Sequence, residues 1–262
     1  MSRISETFDR LRQSGRGGLI TYVTVGDPDQ QKSLEILLGL AEGGADVMEV
    51  GVPFSDPVAD GPVIQRATER ALAAGMTLRG ALDLVAQVRA RVETPIVLFT
   101  YANPVLRMEP NAFASEARKA GVDGVLILDY PVEEAEPLRA PLVAADLDPI
   151  FLISPTTTDE RIRQSSALGA GFLYVISRLG VTGVRDTMSA DAMALVQRVK
   201  AQTTLPVVLG FGISTPQQVA AVCQHADAAV VGSAIVNVIA ENRRNGAGNA
   251  VREYVKWLKS GL

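Results

Sequence analysis

Short apolar runs recur along the chain, separated by stretches with helical periodicity. One type opens on small or polar residues: GGADVMEVG from Gly43, AGVDGVLIL from Ala120, LGAGFLYVI from Leu168 and QHADAAVVG from Gln224. A second type alternates with it and is opened by proline: TPIVLFT from Thr94, LDPIFLIS from Leu147 and LPVVLGF from Leu205. Proline is admitted at a strand's first residue, where its missing N–H costs the ladder nothing. Continuous apolar runs of this length mark parallel strands covered on both faces. Together with a first run, they predict strands at 18–24, 46–51, 95–100, 123–128, 148–153, 171–176, 206–210 and 227–231. Between them the apolar spacing is that of helices. Leu34, Leu37, Leu38 and Ala41 share one face, and Ala81, Leu84, Val85 and Val88 share another. Further helical stretches fall near 111–120, 133–145, 159–168, 190–202 and 216–223. The N-terminal segment MSRISETFDRLRQSG reads as an amphipathic helix with Ile4, Phe8 and Leu11 on its apolar side.

Eight strands alternating with helices over 262 residues predict an α/β protein, a (β/α)₈ TIM barrel with an extra N-terminal helix. No low-complexity linker divides the chain, so 1–262 is expected to form one domain. The rival is a doubly wound open sheet. It generally has fewer strands and a Gly-rich first turn, and TVGDPDQ after the first strand is not G-x-G-x-x-G.

Charge and cysteine usage narrow the function classes. The net charge is −4 and no basic tract occurs, so the electrostatic footprint of nucleic-acid binding is missing. Cys223 is the single cysteine, which excludes an intrachain disulfide and fits a reducing compartment. No apolar run approaches the roughly 18 residues of a membrane span. A cytoplasmic protein is the expectation.

In a barrel, chemistry belongs at the C-terminal ends of the strands. Those ends carry Asp27, Glu49, Tyr101 with Asn103, Asp129, Tyr174, GFGIST from Gly210 and VGSAIV from Val231. The last two place Gly-rich turns directly before helices. Glycine admits an anion close to the backbone, and a helix N-terminus offers free N–H groups. Loops after strands 7 and 8 frequently form a phosphate site in such barrels. The same glycines also suit tight turns with no ligand. The loop SRLGVTGVRD after strand 6 is long and Gly-hinged, as either a closing lid or an ordinary surface loop would be.

The most informative stretch is EVGVPFSDPVADGP, Glu49 to Pro62. Alternation puts Val47, Glu49 and Gly51 on one strand face. Lumen or helix layer, either destination is apolar. A carboxylate buried there shifts its pKa upward unless a local donor satisfies it. A raised pKa suits a general acid–base working near neutral pH. Asp60 sits in an Asp-Gly turn and Asp56 in an SDP turn, so each also reads as a turn former. Pro53, Pro57 and Pro62 stiffen the loop. His225, the one histidine, lies on the wrong side of the last strand, which disfavours a His-based triad or metal site. No metal site is expected. No lysine stands at a strand end, which disfavours a Schiff base. Trp257 is expected to pack on the barrel.

The motifs TYVTVGDPD from Thr21, MEVGVPFSDPVADGPVIQ from Met48, TYANPV from Thr100, YVISRLGVTG from Tyr174, GFGIS and VGSAIV resemble the tryptophan synthase α-subunit family nearly end to end. The resemblance implies a lyase that cleaves indole-3-glycerol phosphate to indole and glyceraldehyde 3-phosphate. It implies Glu49 as acid–base and Asp60 as the acceptor of the indole N–H. It places Tyr22, Phe99, Leu126, Tyr174, Thr182 and Ile213 around the substrate and Gly183, Gly212, Gly232 and Ser233 on the phosphate. It implies a pyridoxal-phosphate-bearing β subunit as partner in an α2β2 complex, met by Pro53, Asp56, Asn103 and Pro104, and no cofactor in this chain. Position 22 is often Phe in the family, so Tyr22 adds a hydroxyl to the pocket. Another sugar-phosphate barrel enzyme would share the strand 7 and 8 glycines but not PFSDPVADGP. A degenerate barrel with a purely regulatory role would not need both Glu49 and Asp60.

Overall fold

In the computed structural model of the chain, residues 2–176, 190–210 and 212–262 are described. Eight parallel strands follow one another around the sheet: β1 (Gly18–Thr24), β2 (Val47–Gly51), β3 (Ile96–Thr100), β4 (Gly124–Ile127), β5 (Asp148–Ile153), β6 (Leu173–Ile176), β7 (Val207–Gly210) and β8 (Ala228–Val231). β8 pairs back onto β1, so the sheet closes as the alternating runs predict. Each strand lies within two residues of its predicted bounds, and helices fill the connections.

The two faces of each strand divide two apolar regions. Val23, Met48, Val50, Leu98, Val125 and Leu209 point outward, into the large core shared with the helices. Ile20, Val47, Val97, Leu126, Ile150, Phe172, Val208 and Val230 point inward and fill the lumen. The helix Arg3–Gln13 closes the N-terminal end of this lumen, with Ile4, Phe8 and Leu11 all buried as its periodicity predicts. Phe8 meets Phe172 of the lumen with ring centroids 5.8 Å apart. The barrel is therefore plugged at one end and can admit a ligand only from the other.

The polar openings of the even strands have a specific job. Asp46, Asp123 and Asp227 stand just before β2, β4 and β8, and each accepts the backbone N–H of a preceding strand's residue, Leu19, Ile96 or Val207, at 2.8 Å. These charge-assisted bonds fix strand register at the N-terminal face. Arg89 and Arg3 complete the Asp123 cluster at 2.6 and 3.0 Å, and Lys259 pairs with Asp46 at 2.9 Å. Asp46 is thus a side-chain anchor outside the strand, which is why β2 begins one residue later than the apolar run suggests.

Two expectations are corrected. In the helix Gln30–Gly43 the buried large apolar side chains are Ile36, Leu37 and Leu40, while Leu34, Leu38 and Ala41 are only partly covered. The helix is packed on two sides, against the barrel and, through Gly39 and Gly43, against the C-terminal helix Ala247–Lys259, so no single stripe describes it. The helix Leu78–Arg89 buries Ala81, Leu84, Val85 and Val88 as expected. Trp257 does not pack on the barrel: it is 48% exposed and lies against Tyr254, ring centroids 5.5 Å apart.

Candidate active site

Register brings the inward residues at the open end into one layer. Tyr22 pairs with Glu49 and Glu49 with Val97, while Phe99 pairs with both Gly51 and Leu126. Across the barrel, Tyr174 pairs with Leu152 and Val208. The aromatic rings form a chain: Tyr22 to Phe99 at 5.1 Å and Phe99 to Tyr174 at 6.5 Å, both edge-on. Two glycines make this layer possible. A Cβ on Gly51 would fall on the Tyr22 hydroxyl, and one on Gly210 would fall on the Tyr174 hydroxyl.

Glu49 sits in the middle of this layer. Its relative exposure is 0%, and among the described residues neither carboxyl oxygen has a hydrogen-bond partner. The lumen is its destination and no local donor satisfies it, which decides between the two readings the sequence left open. Burial alone lifts its pKa from an ordinary 4.5 to about 8. At neutral pH the group is then mostly protonated, an acid buried among the apolar side chains of the lumen. A buried polar group without a partner is rare in folded proteins. Burial also holds the Tyr22 and Tyr174 hydroxyls well above the usual range, and the carboxyls of Asp60 and Glu49 add to this for Tyr22, that of Glu49 for Tyr174. Both remain neutral donors. The Tyr22 hydroxyl rests 3.3 Å from Thr24 Oγ1.

Asp60 ends the β2 loop one residue before Gly61, the cap of the helix Pro62–Ala73. It is half-buried, and burial raises its pKa against the pull of one hydrogen bond, from the Tyr101 hydroxyl at 3.1 Å. That hydroxyl in turn accepts the Ala59 N–H at 3.2 Å. Tyr101 therefore holds the loop tip to the end of β3, stacked near Phe54 at 5.1 Å. The sequence offered Tyr101 only as a strand-end residue. Nothing local distinguishes it from a core aromatic, because its partner lies 41 positions away.

The other strand-end acids have structural partners. Asp27 is 2% exposed and bound by Arg70 through two bonds of 2.7 Å. Asp129 accepts the Ala102 N–H at 2.7 Å and so caps the helix Ala102–Met108. In the β2 loop, Pro53 is buried at the base, whereas Asp56 is exposed, its carboxyl accepting the Ser55 hydroxyl and its carbonyl the N–H of Val58, itself 83% exposed. Asn103 is exposed and Pro104 partly so. Of the residues assigned to a partner surface, Asp56 and Asn103 thus present themselves most openly, and Pro53 least.

On the anion side, Gly212 has φ +74°, a conformation glycine favours, and Ile213 beside it is buried. Gly232 caps the helix Ser233–Asn242, and no side chain of the described residues caps its first N–H groups, which a helix leaves without partners of its own. Gly212 and Ser233 are both exposed at the open end. Thr182 and Gly183 lie outside the described residues. Among the described residues no three His, Cys, Asp or Glu side chains converge as a metal cage. Likewise no described helix is long and apolar enough to cross a membrane.

A lumen acid, an aspartate on a tethered loop and two glycine turns thus stand at the C-terminal ends of the strands. Known proteins resemble the chain over its whole length. A family model described as the tryptophan synthase alpha chain matches residues 8–260. The tryptophan synthase alpha chain of Burkholderia thailandensis is 48% identical over 263 aligned positions, covering 100% of this chain and 97% of the relative, and that of Burkholderia ambifaria is 46% identical. Among solved structures, tryptophan synthase subunit alpha from Legionella pneumophila superposes with a TM-score of 0.93 at 36% identity, covering 100% of this chain and 98% of that one. An aminoacrylate-bound tryptophan synthase from M. tuberculosis gives 0.90 at 37% identity, with both chains fully covered. By its barrel and its end-to-end similarity, this chain belongs to the tryptophan synthase alpha chain family.

Proposed function

We propose that the chain cleaves indole-3-glycerol phosphate to indole and glyceraldehyde 3-phosphate by proton transfer from its own side chains. The observation that carries the reading is Glu49, a fully buried carboxyl with both oxygens unpartnered and a pKa pushed to about 8. Such a group holds a proton at neutral pH and can release it to a substrate carbon. Protonation at indole C3 makes the ring an electron sink. The C–C bond to the glycerol side chain then breaks as the adjacent hydroxyl becomes the aldehyde, and Glu49, now a carboxylate, takes the hydroxyl proton. One proton leaves the acid and one returns, so the residue is regenerated. Asp60 accepts the indole N–H and offsets the positive charge that develops on the ring. Tyr22, Phe99, Leu126, Tyr174 and Ile213 supply the apolar walls. The N–H groups at Gly212, Gly232 and Ser233 take the phosphate, with Gly183 and Thr182 joining from the strand 6 loop. In this reading the chain needs no cofactor or metal. Its exposed Asp56 and Asn103 face a β subunit that carries pyridoxal phosphate and consumes the indole in an α2β2 complex.

The direct test is indole release from indole-3-glycerol phosphate by the purified chain, with and without a β subunit. No release in either case would overturn the reading. The phosphate assignment has a sharper test in Gly232→Asp. A Cβ at Gly232 would meet Tyr22 at 3.4 Å, an ordinary contact, so the variant is expected to fold. Its carboxylate would stand against the anion and displace it. KM is expected to rise by more than roughly tenfold, the effect of losing about 1.4 kcal/mol or more of binding. Unchanged KM in a folded variant would remove Gly232 from the phosphate site.

A further inference from the structure

Resting on the phosphate reading above, we propose that Tyr254 in the C-terminal helix is a positioning residue for the anion-binding turn after β7. Its hydroxyl donates to the Ser214 carbonyl at 2.7 Å, across 40 positions of sequence. That carbonyl belongs to the same turn as Gly212 and Ile213. A carbonyl oxygen free to swing toward the pocket would meet the anion with its negative end. Tyr254 instead holds it outward, against the C-terminal helix.

The rest of the turn is sorted in the same way. Gln218 Oε1 accepts the Ser214 N–H at 2.8 Å and the Thr215 N–H at 3.3 Å, within a capping box formed with Thr215. Those two amides are therefore withdrawn from any ligand. The Gly212 and Ile213 amides bond to no described residue, which leaves them as the donors the turn can offer. Tyr254 fixes the acceptor that must stay away, and Gln218 removes the donors that are not used.

A brace works only if its base is rigid, and the C-terminal helix is firmly seated. A Cβ on Gly39 would fall on the Gly248 carbonyl, and one on Gly43 would come within 2.8 Å of the Arg252 carbonyl. The two helix backbones are thus in close contact, the packing that small residues permit. Beyond the helix, Gly261 approaches the Pro216 carbonyl so closely that it too has no room for a side chain. The Tyr254 ring is half-buried beneath Trp257, and burial raises its hydroxyl pKa, so it stays a donor through the working pH range. Trp257, exposed on its outer side, thus serves as cover for the brace.

The test is Tyr254→Phe in the full chain, which keeps the ring and removes only the hydroxyl. Binding of inorganic phosphate is measured by calorimetry for the wild type, Tyr254→Phe and Gly232→Asp, alongside indole binding, KM and kcat. Tyr254→Phe is expected to bind phosphate roughly three- to tenfold more weakly, the effect of losing one hydrogen bond that orders the turn. KM is expected to rise by a similar factor, with kcat and indole affinity little changed. Equal phosphate affinity of wild type and Tyr254→Phe, with Gly232→Asp impaired, would overturn the brace and leave the phosphate site standing. Equal affinity in all three proteins would overturn both. Indole and phosphate affinities falling together would show general loosening and would also overturn the brace.

Discussion

Replacing Glu49 with Gln is expected to lower the rate of indole release by about 10²–10⁴-fold while substrate still binds. Gln keeps the volume and a hydrogen-bond donor in the lumen but cannot give up and retake a proton. kcat should therefore fall and KM should not. Near-normal turnover by the variant would remove Glu49 from the chemistry. The same substitution has a second, independent readout in stability. The folded-state pKa of Glu49, about 8, lies above the ordinary 4.5 of an unfolded chain. Folding therefore favours the protonated form. The contribution of Glu49 to stability is fully present below about pH 4.5 and is lost progressively as pH rises through about 8. A tenfold difference in proton affinity between the folded and unfolded chain is worth about 1.4 kcal/mol, so the wild type should lose a few kcal/mol across this window that Glu49→Gln does not lose. Denaturant unfolding at pH 5, 7 and 9 measures it. The constant offset between a buried Glu and a buried Gln drops out, because only the slope with pH is compared. Parallel stability curves for the two proteins would mean that Glu49 is not titrating out of an apolar site. The free enzyme's kcat/KM should likewise fall above about pH 8, where the acid form is depleted.

The barrel was legible because its signals are local. An apolar run of four to seven residues, opened by Pro or by Asp and followed by a helical period, carries strand, direction and burial together. Even Asp46, Asp123 and Asp227 left a visible mark, although the alternation could not say that each reaches back to a neighbouring strand's N–H. The position of Glu49 at an inner strand end was legible for the same reason, and its lack of a partner was not. That property depends on what seven other strands place around it. Tyr101 and Asp27 show the two ways in which reading a single strand end falls short. Tyr101 stood at a strand end with no role attached and holds Asp60. Asp27 stood at a strand end, where chemistry was expected, and is held by Arg70 from a helix 43 positions on. Both partnerships join side chains through the tertiary fold, and no spacing rule reports them. The buried stripe of the helix Gln30–Gly43 was misread for a related reason. A helix covered on two sides has no single apolar period, and the glycines that seat the C-terminal helix on it contribute nothing to a hydrophobic pattern.

Arg70→Met is expected to be the most destabilising single change near the site. Asp27 is 2% exposed, and Arg70 supplies both of its bonds of 2.7 Å. Removing the guanidinium leaves an unpaired carboxylate in a buried position, a loss of about 3–5 kcal/mol. At roughly 2–4 °C per kcal/mol for a chain of this size, the melting temperature should fall by roughly 6–20 °C. The cost is not that of the ion pair itself. Taking both charges away in Asp27→Asn/Arg70→Met should recover much of the loss, since a buried pair is often worth little against neutral groups of similar size. A double variant as unstable as the single one would show that lost packing of the Arg70 stem, and not the stranded charge, sets the penalty. Activity gives the second reading. Arg70 lies on the helix Pro62–Ala73, which starts two residues after Asp60, so the pair ties the helix behind the Asp60 loop to the end of β1. If that tie holds Asp60 in place, the double variant should regain stability yet keep a reduced kcat, because the two neutral side chains no longer fix the helix through a bidentate bond. Recovery of stability and kcat together would mean that the pair serves the fold alone and that Tyr101 suffices to position Asp60.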